Sequence, residues 1–272
     1  MQSTSAKFYP TVAQAIHLLM LYIFIQTIID FPLALIDYFN DTDYLYNPVK
    51  KFVNSFAVTL FILWYGFRKT ESSFTEVFPA RSFNLLIILP LLTFLVAVQH
   101  LLNDVNLFVA RLIPPPMWFW ELFNNIFESR FGFWGAFLKV AIIAPIVEEL
   151  IFRGVILHGF ARNYSRLRSV VLSALLFALF HLNPWQLPAT FMLGLLLGWI
   201  MVYTRNIYLA IAGHSLNNIL VLLSITYSEQ LQTLFPLPER SFLITAIAAI
   251  LATLSLAAIH FVMVARNHKT MK

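Results

Sequence analysis

The sequence contains no cysteine and few charged residues. None of its 272 residues is Cys, and only 11% are Asp, Glu, Lys or Arg. The lack of Cys excludes disulfide bonds, thiolate nucleophiles and thiolate metal ligands, so any catalysis must use carboxylate, imidazole or hydroxyl groups. The low charge argues against a soluble domain, because such domains average about 25% charged residues.

The chain is instead rich in apolar residues. They make up 60% of the chain, 27 residues are Phe, and the mean hydropathy is +0.77. A spanning helix needs about 20 mostly apolar residues. Eight segments approach this requirement: roughly residues 11–38, 52–67, 83–103, 132–160, 168–185, 187–204, 206–226 and 241–265. The sequence therefore predicts an all-α, polytopic transmembrane helical bundle of about eight spanning helices, whose first helix is a retained span and not a secretory signal.

Lys and Arg are divided unevenly between the two predicted sides of the membrane. With the N-terminus inside, twelve of them fall in inner segments and five in outer segments, while Lys139 lies within a span. The excess of positive charge on inner segments predicts that both termini are cytoplasmic, in the inner or plasma membrane if the host is prokaryotic. The net charge of +5 then reflects the excess of Lys and Arg on the inner segments, and no nucleic-acid partner is expected.

No linker, low-complexity tract or clear repeat divides the chain, so residues 1–272 are predicted to form a single membrane domain. The longest piece between spans is residues 104–131, where Pro114, Pro115 and Pro116 stop a helix and a Trp- and Phe-rich stretch follows. This composition suits the headgroup region, and the piece is predicted to lie along the membrane surface. It is either an anchoring connector or a gate or dock for substrate.

The stretch "PIVEELIFRG", residues 145–154, places three charged residues inside an apolar run. Each such charge costs about 2.5 to 3.5 kcal/mol near the middle of a membrane helix, so a function or a partner is expected. Glu149 and Arg153 are four residues apart and share one helix face, which favours an ion pair between them. Glu148 points about 100° away and is left free to face the bundle. The alternative is a buried charge network that only fixes helix packing.

Further polar residues on two later spans are candidate partners for Glu148. His181 stands near the end of the fifth span, and His214 and Asn218 share one face of the seventh. Counting about 1.5 Å per residue from the nearest inner basic residues, Glu148, His181 and His214 lie about 21, 20 and 13 Å deep. Helix tilt absorbs the difference. A carboxylate, two imidazoles and an amide at similar depth suit acid–base hydrolysis.

These residues resemble the motifs of a known family. "EELIFRG" fits the family's EExxxR motif, "FALFH" its FxxxH motif and "HSLNN" its HxxxN motif, in the same order on three different spans. The chain thus resembles the CAAX-protease and bacteriocin-processing (Abi) family of intramembrane proteases, which includes the Ras-converting CAAX prenyl protease. The resemblance covers residues 132–226, predicted as a motif-bearing catalytic core of four helices.

The resemblance implies a fold, an activity and a role for each motif residue. It implies a conical helical bundle with a water-filled cavity, and hydrolysis of a peptide bond in a membrane-associated or lipid-modified protein or peptide. Glu148 would activate water together with His181, while His214 and Asn218 would stabilise the oxyanion. Glu149 and Arg153 would support Glu148, and no cofactor would be required.

Three alternatives to this glutamate-type endopeptidase stay open. Glu148, His181 and His214 also form a His₂Glu set of the kind that holds catalytic zinc, which would make the protein an intramembrane metalloprotease. Carboxylates and histidines within spans can also relay protons in a transporter, although the sequence shows no inverted repeat. A non-catalytic scaffold or immunity protein is the third alternative.

Overall fold

The structure is a computed structural model that describes residues 8–42, 48–117, 119–120, 132–234 and 241–269. Almost all of the described chain is helical. The described residues contain no β-strand; an isolated antiparallel bridge pairs Ala80 with Asn206. The predicted all-α class is therefore confirmed.

The helices follow one another with short connections. They are α1 (Val12–Asn40), α2 (Pro48–Thr70), the single turn α3 (Phe74–Val77), α4 (Ile88–Leu112, preceded by the 3₁₀ turn Leu85–Ile87), α5 (residues 132–163), α6 (Arg166–Phe180), α7 (Leu187–Thr204), α8 (Ile207–Thr226), α9 (Ser228–Leu234) and α10 (Phe242–Lys269). Side-chain caps fix several of the starts, among them those of α1 and α8. Thr11 and Gln14 form a capping box at α1, and the Asn206 carboxamide oxygen accepts the Leu209 N–H at α8.

Five helical stretches in the described chain are long and apolar enough to cross a membrane. They are Val12–Asn40, Leu85–Leu112, Leu187–Thr204, Ile207–Thr226 and Phe242–Val264. The other three predicted spans are helical but do not meet that criterion. Helix α2 carries Lys and Arg at both ends, α5 is interrupted by wider turns, and α6 has only 15 residues. The fold is a polytopic helical bundle with some short or irregular members.

Helix α5 alternates between α-helical and π-helical turns. The π-helical stretches are Phe137–Ile143 and Leu150–Ile156, and they flank the short α-helical stretch Ala144–Glu149. Pro145 contributes to the first stretch because it has no N–H to donate into an α-helical ladder. Isolated π turns inside α-helices are frequent at functional sites. Here they bracket the two adjacent glutamates.

Small residues bring the motif-bearing helices close together. A Cβ atom added at Gly194 of α7 would lie 2.9 Å from Ala174 of α6, so only glycine permits this approach of the two backbones. A Cβ atom at Gly213 of α8 would likewise lie 2.8 Å from Leu197 of α7. Phe152, Phe177 and other fully buried apolar side chains fill the space between α5, α6, α7 and α8. The close packing of these helices leaves Glu149 of α5 fully buried.

The bundle has two chemically different ends. At one, called here the basic end, Arg162 of α5 donates to Ser72 and the Arg81 N–H donates to the Arg205 carbonyl. At the opposite end, called here the far end, the Trp185 indole N–H donates to the carbonyl of Ile113 at 2.6 Å. Helix α6 starts at the basic end and stops at Phe180, one residue before His181. His181 therefore lies beside the loop that closes the far end.

The predicted surface segment, residues 104–131, is only partly described. Residues 104–112 continue α4, which ends at Leu112 before Pro114. The Phe119 ring packs against Trp185 at 4.3 Å between centroids, so the start of the segment contacts the loop after His181. Residues 121–131 lie outside the described residues. The position of the segment at the membrane surface stays a prediction.

Candidate active site

Glu149 and Arg153 form the predicted ion pair on α5. Arg153 Nη1 lies 3.0 Å from Glu149 Oε1, and both side chains are fully shielded from solvent. The Arg153 guanidinium also lies over the Phe177 ring, 4.4 Å from its centroid, and donates from Nη2 to the Gly194 carbonyl at 3.3 Å. One buried cation is thus held by a carboxylate, an aromatic face and a backbone carbonyl from three helices.

Glu148 faces away from this ion pair toward two imidazoles. Its Oε2 atom lies 3.9 Å from Nε2 of His181 and 3.9 Å from Nε2 of His214. These distances are too long for direct hydrogen bonds. Glu148 Oε2 is itself buried and has no hydrogen-bond partner. A buried acceptor of this kind calls for a donor between it and the imidazoles, and a water molecule is the smallest one that fits.

The protonation of His181 follows from its other ring nitrogen. Its Nδ1 atom lies 2.8 Å from the Phe177 carbonyl oxygen, which can only accept, so Nδ1 carries a hydrogen. In neutral His181 the Nε2 atom is then an acceptor directed at the space beside Glu148. The His181 side chain is 23% exposed and that of Glu148 22% exposed, so both remain accessible to water.

His214 connects the two glutamates. Its Nδ1 atom donates to Glu149 Oε1 at 2.9 Å, and its Nε2 atom is the one that faces Glu148. The side chain is only 4% exposed, and its ring packs edge-on against Phe177 at 5.6 Å. Glu149 therefore holds both Arg153 and His214, and its carboxylate fixes the direction in which the His214 ring presents Nε2.

Asn218, the fourth predicted catalytic residue, has an additional contact that the sequence did not indicate. Its amide donates to the Val140 carbonyl at 2.8 Å, and its oxygen accepts from the Asn217 amide at 3.1 Å. Val140 lies in the first π-helical stretch, and five residues later stands Pro145, which has no N–H for the π-helical bond. Asn218 supplies the missing donor and thereby ties α8 to α5. One of its two amide hydrogens remains for another acceptor.

The sequence interpretation missed Phe177 as a member of the site. It used this residue only as the first position of the FxxxH motif, yet its carbonyl orients His181 and its ring packs against Arg153, His181 and His214. The four-residue spacing of Phe177 and His181 could have indicated this, because residues four apart on a helix share one face. Gly194 was also missed, since no sequence pattern indicates which backbone carbonyl meets a buried arginine.

The three candidate zinc ligands stand further apart than the donor atoms around a bound zinc ion. Zinc bonds to nitrogen and oxygen are about 2.0 to 2.1 Å long, so two donor atoms on a tetrahedral ion lie about 3.3 Å apart. Glu148 Oε2 stands 3.9 Å from each imidazole Nε2. Within the part of the chain that the structure describes, no group of three His, Cys, Asp or Glu residues has the arrangement of a metal site. To bind zinc, these three side chains would have to move closer together than they stand here.

Comparison with known proteins identifies the same segment. A family model described as Type II CAAX prenyl endopeptidase Rce1-like matches residues 130–220, which include all three motifs. No curated protein and no solved structure matches the chain. The apolar helices together with this match identify an integral membrane protein whose general activity is that of an intramembrane endopeptidase. The resemblance inferred from the three motifs is therefore confirmed for this segment: residues 130–220 match the Type II CAAX prenyl endopeptidase Rce1-like family.

Proposed function

We propose that the protein hydrolyses a peptide bond in a membrane-associated or lipid-modified protein or peptide by means of a water molecule activated by Glu148. The observation that carries this proposal is the unpartnered, buried Oε2 atom of Glu148, 3.9 Å from the Nε2 atoms of His181 and His214. A water molecule held about 2.8 Å from Glu148 and from His181 donates one hydrogen to each. Its oxygen lone pairs then remain for attack.

The proposed reaction needs only groups of this chain and water. Glu148 takes a proton from the water as its oxygen attacks the scissile carbonyl carbon, and the carbonyl oxygen becomes an oxyanion. Glu148 then returns the proton to the leaving amide nitrogen as the carbon–nitrogen bond breaks. His214 Nε2–H and the remaining N–H of Asn218 donate to the oxyanion. Loss of one such donor typically lowers the rate about 100- to 1000-fold.

The charge balance of the site supports this role for His214. Glu148 and Glu149 contribute two negative charges and Arg153 one positive charge, with Glu149 and Arg153 fully buried and Glu148 22% exposed. A protonated His214 would cancel the remaining negative charge. Its Nδ1–H is already held by Glu149, so the second proton lies on Nε2, where a donor to the oxyanion is required.

The proposed reaction needs no metal ion, and metal analysis of the purified enzyme tests this requirement. We expect the purified active enzyme to contain no stoichiometric zinc and to keep its activity after exhaustive chelation, because the carboxylate alone serves as base. Elemental analysis and peptide cleavage before and after chelation measure this. Stoichiometric zinc, with activity lost on removal and regained on adding it back, would make Glu148 a ligand and exclude the mechanism above.

Cleavage products distinguish the protease from a non-catalytic scaffold. Membranes of cells that express the wild-type protein are compared with membranes of cells that express Glu148→Gln, and new protein N-termini are identified by mass spectrometry. We expect a set of N-termini that depends on Glu148, since the two proteins differ only at the base. Identical N-termini, together with no cleavage by purified protein, would leave the scaffold function as the better assignment.

The location of His181 beside the far end leads to a proposal about orientation. If both termini are cytoplasmic, the site opens toward the external face. The natural absence of Cys makes Leu182→Cys, at an exposed loop position, a unique label site, with Thr75→Cys at the basic end as its matched control. We expect a membrane-impermeant maleimide to label Leu182→Cys but not Thr75→Cys in intact cells. The reverse pattern would place the basic end outside.

A further inference from the structure

A row of polar side chains runs along one face of the otherwise apolar helix α1. Tyr22, Gln26 and Asp30 are spaced four residues apart, so they lie on one face of the helix. Gln26 Nε2 donates to Asp30 Oδ2 at 2.8 Å, and the Tyr22 hydroxyl lies 3.1 Å from the Thr59 hydroxyl of α2. Charged and amide groups are rare in membrane spans unless they have a function.

This row starts beside the candidate active site. The Tyr22 ring packs edge-on against Phe180, the residue before His181, with 5.5 Å between centroids. The Tyr22 hydroxyl is also close enough to interact electrostatically with the carboxylates of both Glu148 and Asp30. Tyr22 is therefore within electrostatic range of both carboxylates. From Tyr22 the row continues along α1 toward the far end of the bundle.

The row has acceptors that lack donors. Gln26 Oε1 is buried and makes no hydrogen bond. Within the described chain the Gln26 amide is the hydrogen-bond partner of Asp30, and no Lys, Arg or His lies within ion-pair distance of its carboxylate. A carboxamide oxygen without a donor, followed by a carboxylate without a cation, matches a ligand that brings N–H donors and a positive charge.

We propose that Tyr22, Gln26 and Asp30 form a substrate subsite that receives the peptide next to the scissile bond and binds a Lys or Arg side chain of that peptide at Asp30. This subsite rests on the proposed function, because it places the peptide relative to Glu148. Eight residues of helix separate Tyr22 from Asp30, a rise of about 12 Å. An extended peptide covers that length with about four residues. The basic side chain thus lies about four residues from the cleaved bond.

A lysine scan tests the subsite. The probe is a neutral Ala/Leu/Ser peptide into which one Lys is introduced at successive positions. Cleavage is measured with wild-type protein, Asp30→Asn, Asp30→Glu and the control Asp104→Asn, which removes an exposed carboxylate of α4. We expect wild type to prefer Lys at one position by about tenfold or more in kcat/KM, mainly through KM. Asp30→Glu and Asp104→Asn should keep this preference, and Asp30→Asn should lose it.

A binding measurement separates this subsite from the proposed reaction. In the Glu148→Gln background the same fluorescent peptides are titrated, with and without Asp30→Asn, and the dissociation constants are compared. Tighter binding of the Lys peptide that depends on Asp30 supports the subsite even if no peptide is cleaved, in which case only the proposed function fails. A Lys preference that persists in Asp30→Asn, or the absence of any Lys preference in cleavage and binding, overturns the subsite.

Discussion

Replacing Glu148 by Gln is expected to abolish peptide hydrolysis while leaving the stability of the protein nearly unchanged. General base catalysis contributes about 100- to 10,000-fold to a rate, and an amide cannot accept the proton that a carboxylate takes from water. The variant should therefore retain at most about one hundredth of the wild-type kcat. The structural change is small, because Gln has nearly the shape of Glu.

The expected stability follows from where Glu148 lies. Its side chain is 22% exposed and takes no part in the Glu149–Arg153 ion pair. Its two nearest imidazole nitrogens are both 3.9 Å away, beyond hydrogen-bond distance. After its charge is removed, Arg153 and His214 both keep Glu149 as their partner, so we expect a melting temperature in detergent close to that of wild type.

Glu149→Gln is the matched control for this prediction. The chemical change is identical and one residue away, but Glu149 is fully buried and holds both Arg153 and His214. We expect Glu149→Gln to lower the melting temperature clearly, whereas Glu148→Gln does not. Cleavage by Glu148→Gln at near wild-type rate would show that another group is the base.

The sequence predicted those parts of the site that depend on spacing within one helix. The four-residue interval between Glu149 and Arg153 predicts their ion pair, and the offset of Glu148 predicts that it points elsewhere. Both hold in the structure even though Arg153 lies in a π-helical stretch, where the α-helical angle per residue no longer applies. The order and composition of the apolar segments were likewise sufficient to predict the all-α fold class.

The sequence could not predict the contacts that depend on how helices meet. The bond from Asn218 to the Val140 carbonyl exists because Pro145 leaves a π-helical carbonyl without a donor, and no pattern indicates which helix then supplies one. The same holds for Gly194, whose carbonyl reaches Arg153 because α6 and α7 approach closely. The polar row on α1 was missed because hydropathy averages conceal single polar residues.

Replacing Arg153 by Ala is expected to destabilise the fold strongly and to abolish activity as well. Arg153 is 1% exposed, and its guanidinium is held by Glu149, by the Phe177 ring and by the Gly194 carbonyl. Its loss leaves the Glu149 carboxylate buried with only His214 beside it. Breaking a buried ion pair from one side typically costs about 3 to 5 kcal/mol, and the emptied volume adds to that cost.

Unfolding in detergent, followed by melting temperature and yield, measures this effect. Arg166→Ala removes an exposed arginine at the start of α6 and serves as the control, with an expected change within about 0.5 kcal/mol. A variant with both Glu149→Gln and Arg153→Met should be more stable than Arg153→Ala, because it leaves no uncompensated buried charge. Its activity should not return, since His214 then lacks the carboxylate that orients it. Unaltered melting of Arg153→Ala would contradict a stabilising role for the ion pair.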